Sequence, residues 1–236
     1  MQALLFDLGG TLIDRRRDRD CARWWAAQGV RVEPRAVAAA VYRADHRFME
    51  EAPDLWHAQG PAFLRRYWAT VHRMLGLPPP PADVCAAWGG SWLRHPDAVA
   101  ALTLARTRGA RLALVSNWDA TGWDVLRGLD LLRHFEVVAL SAELGREKPD
   151  PAIFLWTAAR LGLPPDRCTH IGDNAWDDAE GASGAGMGAV LLHRHPEWAP
   201  LPRVPSHVPV AGDLRLAVVA ALRSAAALPR FAGQPA

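Results

Sequence analysis

The sequence predicts an α/β fold: a parallel sheet core with an all-helical domain inserted after its first strand. Three observations carry this. "ALLFDL" (3–8) is a short continuous apolar run, as expected of a parallel strand buried on both faces. From Asp97 onward, short apolar runs alternate with stretches of helical period, the pattern of a parallel sheet with crossover helices. Between the two, residues 15–96 are mostly helical in period, punctuated by Gly and Pro.

The elements follow in chain order. "CARWWAAQG", "EPRAVAAAVYRADHRFMEE", "PAFLRRYWATVHRMLG" and "PADVCAAWGGSWL" read as helices, with "LPPPPAD" (77–83) a stiff connector. "PDAVAALTLARTRG" is a helix closed by Gly109, and "ARLALVSN" is the second strand. "ATGWDVLRGLDLLRHF" is helical, and "EVVAL" is a strand. "DPAIFLWTAARLGL" is a helix, "CTHIGDN" a strand, "DDAEGASGAG" a helix and "AVLL" a strand. "HVPV" is the last strand, before a closing helix "DLRLAVVAALRSAAAL" with Asp213 at its N-cap. The resulting division is a core of 1–14 with 97–228, a helical domain of 15–96, and a disordered tail of 229–236.

Composition narrows the function classes. The 236 residues, half of them hydrophobic, suffice for one large core, or a core with an insert. A formal net charge of +2, with scattered basic residues, argues against nucleic acid and against an anionic membrane surface. No apolar run approaches the roughly 18 residues of a membrane span. The chain opens on a strand-like run without a basic-then-apolar leader. Cys21, Cys85 and Cys168 are far apart, odd in number and in no metal-ligand spacing. They read as buried free thiols of a cytoplasmic protein. Monomer and homodimer are both compatible with these features. Of the 27 basic residues, Lys148 is the one lysine and the rest are arginine.

In parallel α/β sheets, ligands sit beyond the carboxyl ends of the strands. Those ends collect Asp7 and Thr11, then Ser116 and Asn117, then Asp173 with Asp177 and Asp178 a turn later. The segment after "EVVAL" delivers Lys148. Each has a plain structural explanation by itself: turn residues, a helix start, a solvated charge. Their convergence at carboxyl ends favours a site, and the chemistry they suit is phosphoryl transfer. Asp7 and Asp173 offer the hard oxygens that Mg²⁺ takes. An aspartate also serves as a nucleophile that forms an acyl phosphate. Ser116, backbone N–H groups and Lys148 supply donors and a cation for the transferred group.

At these residues the chain resembles the haloacid dehalogenase superfamily of hydrolases, over nearly its whole length. Four motifs occur in order: "FDLGGTL", "LALVSN", "GREKPDPAIF" and "HIGDNAWDDAEGASGAGM". The resemblance implies a Rossmann-like core with a C1-type helical cap, Mg²⁺ as cofactor and a small phosphorylated metabolite as substrate. It implies Asp7 as nucleophile, Thr11 as its supporting hydroxyl, Ser116 at the phosphate-binding position and Lys148 at the motif lysine. Asn117 and Trp118 are expected beside the substrate. The implied metal set is Asp7, the main-chain oxygen of Gly9, Asp173 and Asp178, with Asp177 the close alternative.

One position departs from the family pattern. Phosphatases of this family read Asp-x-Asp in the first motif, and the second Asp protonates the leaving oxygen and then activates water. Here that residue is Gly9. General acid–base help is worth about 10²–10⁴ in rate, so a catalyst without it depends on leaving-group quality. The expected function is therefore a Mg²⁺-dependent phosphatase with a substitute acid, or one limited to good leaving groups such as acyl or aryl phosphates. Asp14, Glu50 and Glu51 are the substitutes considered. The alternative is a catalytically impaired binding or partner protein. A dehalogenase fits less well, since the resemblance calls for a bulky aromatic at position 9 and no acid at 173. A phosphonatase needs a cap lysine, which residues 15–96 lack.

Substrate choice is expected in residues 15–96. "RRRDRD" (15–20) brings arginine toward a second anionic group or forms a solvated linker. Trp24, Trp25 and Trp56 line a pocket or form the core of the helical domain. Trp118 and Trp176 lie within motifs already assigned to the site, which makes them the better candidates for lining it.

Overall fold

The computed structural model describes residues 1–15, 17–58, 60–81 and 91–227. The chain begins with β1 (Gln2–Phe6) and β2 (Ile13–Arg15). Four helices follow: α1 (Arg17–Ala27), α2 (Pro34–Glu51), α3 (Pro53–Ala58) and α4 (Pro61–Met74). Then come β3 (Trp92–Arg94), α5 (Ala98–Thr107), β4 (Ala110–Ser116), α6 (Gly122–Gly128) and β5 (Val137–Leu140). Next are α7 (Ser141–Leu144), α8 (Pro151–Arg160), β6 (Cys168–Gly172) and α9 (Gly181–Gly184). The described chain closes with β7 (Gly188–Leu192), β8 (Val210–Ala211) and α10 (Leu214–Ala227).

Six strands form one parallel sheet in the order β5-β4-β1-β6-β7-β8. The register pairs Phe6 with Leu114 on one side and with Ile171 on the other. β1 is thus flanked by β4 and β6, and the connections run outward on either side of it. That is a topological switch point, where the loops beyond three neighbouring strands open onto one crevice. The central strands are apolar on both faces because helices cover both. Ala3, Leu5, Ala113 and Val115 pack with Ile153, Phe154 and Ala158 of α8. On the other face α5 and α10 lie against β4, β6 and β7.

The chain divides into two compact units. One comprises Met1–Ile13, Arg94–Arg194 and Arg203–Ala236; the other comprises Asp14–Leu93 and His195–Pro202. The second unit has its own core. Val37, Ala40, Val41, Ala44 and Phe48 form one stripe of α2, and Phe63, Tyr67, Trp68 and Val71 one stripe of α4. Pro34 and Pro61 start these helices, where the missing N–H costs no hydrogen bond. Trp25 and Trp68 are fully inside this core, and Trp24 and Trp56 pack on its margin. Trp24, Trp25, Trp56 and Trp68 therefore form core or its margin. His195–Pro202 groups with this unit because His195 stacks on Trp198 (3.9 Å between ring centroids) and both rings meet Tyr42 of α2.

Four local readings change. Residues 92–94 are extended, not helical: β3 pairs with β2, and the Arg15 guanidinium lies 4.3 Å over the Trp92 ring. The helix read over 120–135 stops at Gly128, because Asp130 takes a left-handed turn (φ 54°). The last strand is Val210–Ala211, later than "HVPV": the register pairs it with Leu191 and Leu192, and His193 N donates to the Ala211 carbonyl at 2.8 Å. The helix read over 177–186 is a π-helical turn, Ala175–Glu180, followed by the short α9. The expected tail, Cys85 and most of "PADVCAAWGG" lie outside the described residues. Among the described residues, Cys21 and Cys168 are buried and form no disulfide. Among the described residues, no helix is long and apolar enough to cross a membrane.

Candidate active site

Three strand ends bring the polar residues together. β1 ends at Phe6, so Asp7 is the first residue beyond the ladder, and its N–H still donates to the Ile171 carbonyl at 2.9 Å. β4 ends on Ser116, and β6 ends on Gly172 just before Asp173. Lys148 enters from the loop ahead of α8. Asn117 fixes that loop: its Nδ2 donates to the Lys148 carbonyl (2.9 Å), and its Oδ1 accepts the Lys148 N–H (2.7 Å). The amide of Asn117 is thus engaged with the Lys148 main chain, which makes it a brace for the lysine.

Lys148 Nζ donates to Asp7 Oδ1 at 2.7 Å and to Asp178 Oδ1 at 2.6 Å. Ser116 Oγ donates to the same Asp7 oxygen at 3.4 Å. Among the described residues, Asp7 Oδ2 receives no hydrogen bond. Thr11 Oγ1 reaches Asp173 Oδ1 at 3.2 Å, so the hydroxyl expected to support Asp7 supports the neighbouring acid instead. Asp178, rather than Asp177, completes the cluster: oxygens of Asp7, Asp173 and Asp178 lie within 4.8 Å of one another. Asp177 is held by Asn174 Nδ2 at 2.8 Å. The π-helical turn carries this arrangement, with Asn174 capping it through Trp176 N and Asp177 N. Trp176 itself points outward, 49% exposed.

Three carboxylates face one ammonium, and their electrostatics reflect the imbalance. Burial pushes Asp7 up, against the pull of Lys148. Loss of hydration, with the charges of Asp7 and Asp178, pushes Asp173 well above the ordinary carboxylate range. For Asp178 burial acts upward, but Lys148 and His170 prevail and hold it well below that range. Burial acts downward on Lys148, yet Asp178 and Asp7 raise it, so the ammonium stays charged. The uncompensated negative charge and the all-oxygen donor set fit a hard divalent cation.

Three contributors escape the strand-end reading. His170 is fully buried in β6, with Nε2 2.8 Å from Asp178 Oδ1, so that nitrogen carries the proton and donates. Gly10 and Gly172 make room: a Cβ on Gly10 would lie 2.6 Å from Asp173 Cγ, and one on Gly172 2.6 Å from Asp178 Cβ. Gly9 meets something different, the ring of Trp118, 3.4 Å from where its Cβ would stand. Of the substitute acids, Glu51 is paired with Arg47 along α2 at 2.7 Å, and Asp14 is exposed and accepts from Arg15 N.

Comparison with known proteins follows this geometry. The family model for haloacid dehalogenase-like hydrolases matches residues 1–186. Phosphoserine phosphatase from Thermus thermophilus is 30% identical over 249 residues, covering 91% of this chain and 97% of that protein. Glyceraldehyde 3-phosphate phosphatase from Methanopyrus kandleri is 30% identical over 208 residues, covering 82% and 84%. Among solved structures, a HAD family hydrolase from Deinococcus radiodurans, with bound phosphate and sodium, superimposes with a TM-score of 0.64 at 21% identity, covering 96% of each chain.

Proposed function

This chain belongs to the haloacid dehalogenase-like hydrolase family, and on that premise we propose that it is a Mg²⁺-dependent phosphatase acting through Asp7 on a small phosphorylated metabolite in the cytoplasm. The observation that carries the reading is the convergence of Asp7, Asp173 and Asp178 within 4.8 Å around the one lysine of the chain. The two phosphatases named above support the substrate class.

In this reading Asp7, Asp173, Asp178 and the main-chain oxygen of Gly9 hold Mg²⁺. When bound, the ion neutralises the phosphoryl oxygens and the excess carboxylate charge. Asp7 is the nucleophile, oriented through its Oδ1 by Lys148 and Ser116, with Oδ2 presented for attack. Lys148 and Ser116 also stabilise charge on the equatorial oxygens. Thr11 and His170 are positioning residues for Asp173 and Asp178, and Asn117 for Lys148. Trp118 borders the substrate.

The absence of a carboxyl at Gly9 favours a second reading, a protein that keeps metal and ligand binding but turns over slowly or not at all. One assay separates the two: Mg²⁺-dependent release of p-nitrophenol from p-nitrophenyl phosphate by the natural protein and by Asp7→Asn. An active natural protein with an inert Asp7→Asn is the expected result. Silence of both, with Mg²⁺ still bound, sinks the phosphatase reading in favour of the binding protein.

A further inference from the structure

We infer that Trp118, from the neighbouring loop, borders the space that a side chain at position 9 would enter, and that this pair restricts the protein to phosphoryl compounds whose leaving oxygen departs unprotonated. Aryl and acyl phosphates are that class. The chemistry rests on the phosphatase reading; the pair itself rests on packing.

Trp118 is held on several sides. Its backbone N–H donates to Ser141 Oγ at 3.0 Å, and its carbonyl accepts from Ala142 N–H at 3.2 Å. The indole Nε1 donates to Thr121 Oγ1 at 3.2 Å, and that hydroxyl is bonded to the Asp119 carboxylate. Two glycines clear space for the ring. A Cβ on Gly122 would lie 3.2 Å from Trp118 Cδ1 and 3.0 Å from a methyl of Leu140; a Cβ on Gly9 would lie 3.4 Å from Cζ3. The five-membered edge therefore rests on Gly122 and the six-membered edge on Gly9. The ring spans from α6 to the loop two residues beyond Asp7. A methyl group at position 9 would just touch it. A carboxyl beyond that methyl must find room beside a ring that is already fixed.

Trp has one donor, Nε1–H, and here it is engaged with Thr121. The ring edge at Gly9 offers no proton. When an Asp7 oxygen attacks phosphorus, the bond to the leaving oxygen breaks and its electron pair stays on that oxygen, which takes its proton from solvent. Water then attacks the phosphorus of the phosphoryl-aspartate. The Asp7–phosphorus bond breaks, the carboxylate is restored, and the water proton passes to solvent. With no acid in the first step, the rate follows the stability of the leaving anion. Phenolates and carboxylates leave readily, while an alkoxide does so more slowly by the missing factor of about 10²–10⁴.

The test compares natural protein, Gly9→Asp, Trp118→Ala and the double variant. Each is assayed with Mg²⁺ on aryl phosphates of graded leaving-group pKa, on acetyl phosphate and on phosphoserine, and each is melted calorimetrically. The natural protein is expected to show a steep fall of rate with leaving-group pKa. Gly9→Asp alone should keep the steep slope and lower the Tm. Adding Trp118→Ala should recover Tm beyond additivity, flatten the slope and raise phosphoserine turnover about 10²-fold or more, the scale of acid catalysis. Trp118→Ala alone, which supplies no acid, should stay steep. A flat slope in either single variant, or additive Tm changes, overturns the pair. Inertness of all four proteins on every compound overturns the substrate restriction together with the phosphatase reading, whatever the Tm values. Relative rates on the aryl and acetyl compounds then distinguish the two sources of a good leaving group.

Discussion

Gly10 is constrained twice over. Its φ of 77° lies in the left-handed region that glycine tolerates, and a Cβ there would lie 2.6 Å from Asp173 Cγ. Gly10→Ala is therefore expected to displace the Asp173 carboxylate and weaken Mg²⁺ binding by about 10–100-fold, the usual cost of disturbing a ligand's support. Calorimetric titration with Mg²⁺ measures it, and an unchanged affinity would show that Asp173 does not need that space. The residue scale is also where sequence reading was uneven. Asp7, Ser116 and Asp173 were legible because each follows an apolar strand, where parallel sheets present ligand-binding groups. Thr11 was legible as a site residue, but its partner was not, since a turn between Asp7 and Thr11 decides which carboxylate the hydroxyl meets. His170 was invisible for a related reason: its partner lies eight residues on, across a π-helical turn that local period does not announce.

At the scale of elements, Asp97 ties three of them together. Its carboxylate accepts from Arg194 Nη1 at 3.0 Å and Nη2 at 3.2 Å, and from Leu214 N at the start of α10 at 2.9 Å. Arg194 Nη2 also donates to the Thr11 carbonyl at 2.9 Å, so the bidentate pair braces the loop beyond β1. Burial acts upward on Asp97, but the bonds from Arg194 and Leu214 outweigh it and lower its pKa from the ordinary 3.8. A carboxylate with a lowered folded-state value stabilises the fold fully above the unfolded value and loses that contribution as pH falls through the folded one. Asp97→Ala should thus cost about 1.5–3 kcal/mol near neutrality, the range for charged hydrogen bonds, and should flatten the acid limb of Tm against pH below about 4. A melting series from pH 2 to pH 7 in both proteins checks this; parallel acid limbs would remove Asp97 from the account. The neighbouring α10 was readable in advance, including its cap, because Asp213 Oδ1 accepts from Leu216 N at 2.8 Å.

For the whole molecule, the carboxylate cluster links metal binding to stability. Three buried or half-buried acids around one ammonium leave negative charge that folding alone does not balance. A cation that binds only the folded state stabilises it by about 2.7 kcal/mol at a hundredfold excess over Kd. Mg²⁺ should therefore raise Tm in a concentration-dependent way in the natural protein, and Asp173→Asn should abolish most of the rise. An equal rise in both would mean that the ion acts elsewhere. The second unit supplies its own stability through the α2–α4 core, in which Trp25, Trp68 and Tyr67 meet edge to face.

The sequence by itself determined the class of fold and the composition of the site. Strand-length apolar runs alternating with helical period leave few arrangements besides a parallel sheet, and acids placed after such runs must gather at its carboxyl edge. The presence of one lysine in the whole chain, at the point where three carboxylates meet, was also written in the sequence. Tertiary structure decided what one-dimensional spacing cannot carry. It selected Asp178 over Asp177, because a π-helical turn sets which of two adjacent buried carboxylates meets Asp7 and Asp173. It turned Asn117 into a brace, because the Lys148 backbone passes within hydrogen-bond reach of its amide. It joined Gly9 to Trp118, because two loops 109 residues apart meet at an atomic contact. Contacts of that kind depend on side-chain volume in three dimensions, and no periodicity along the chain encodes them.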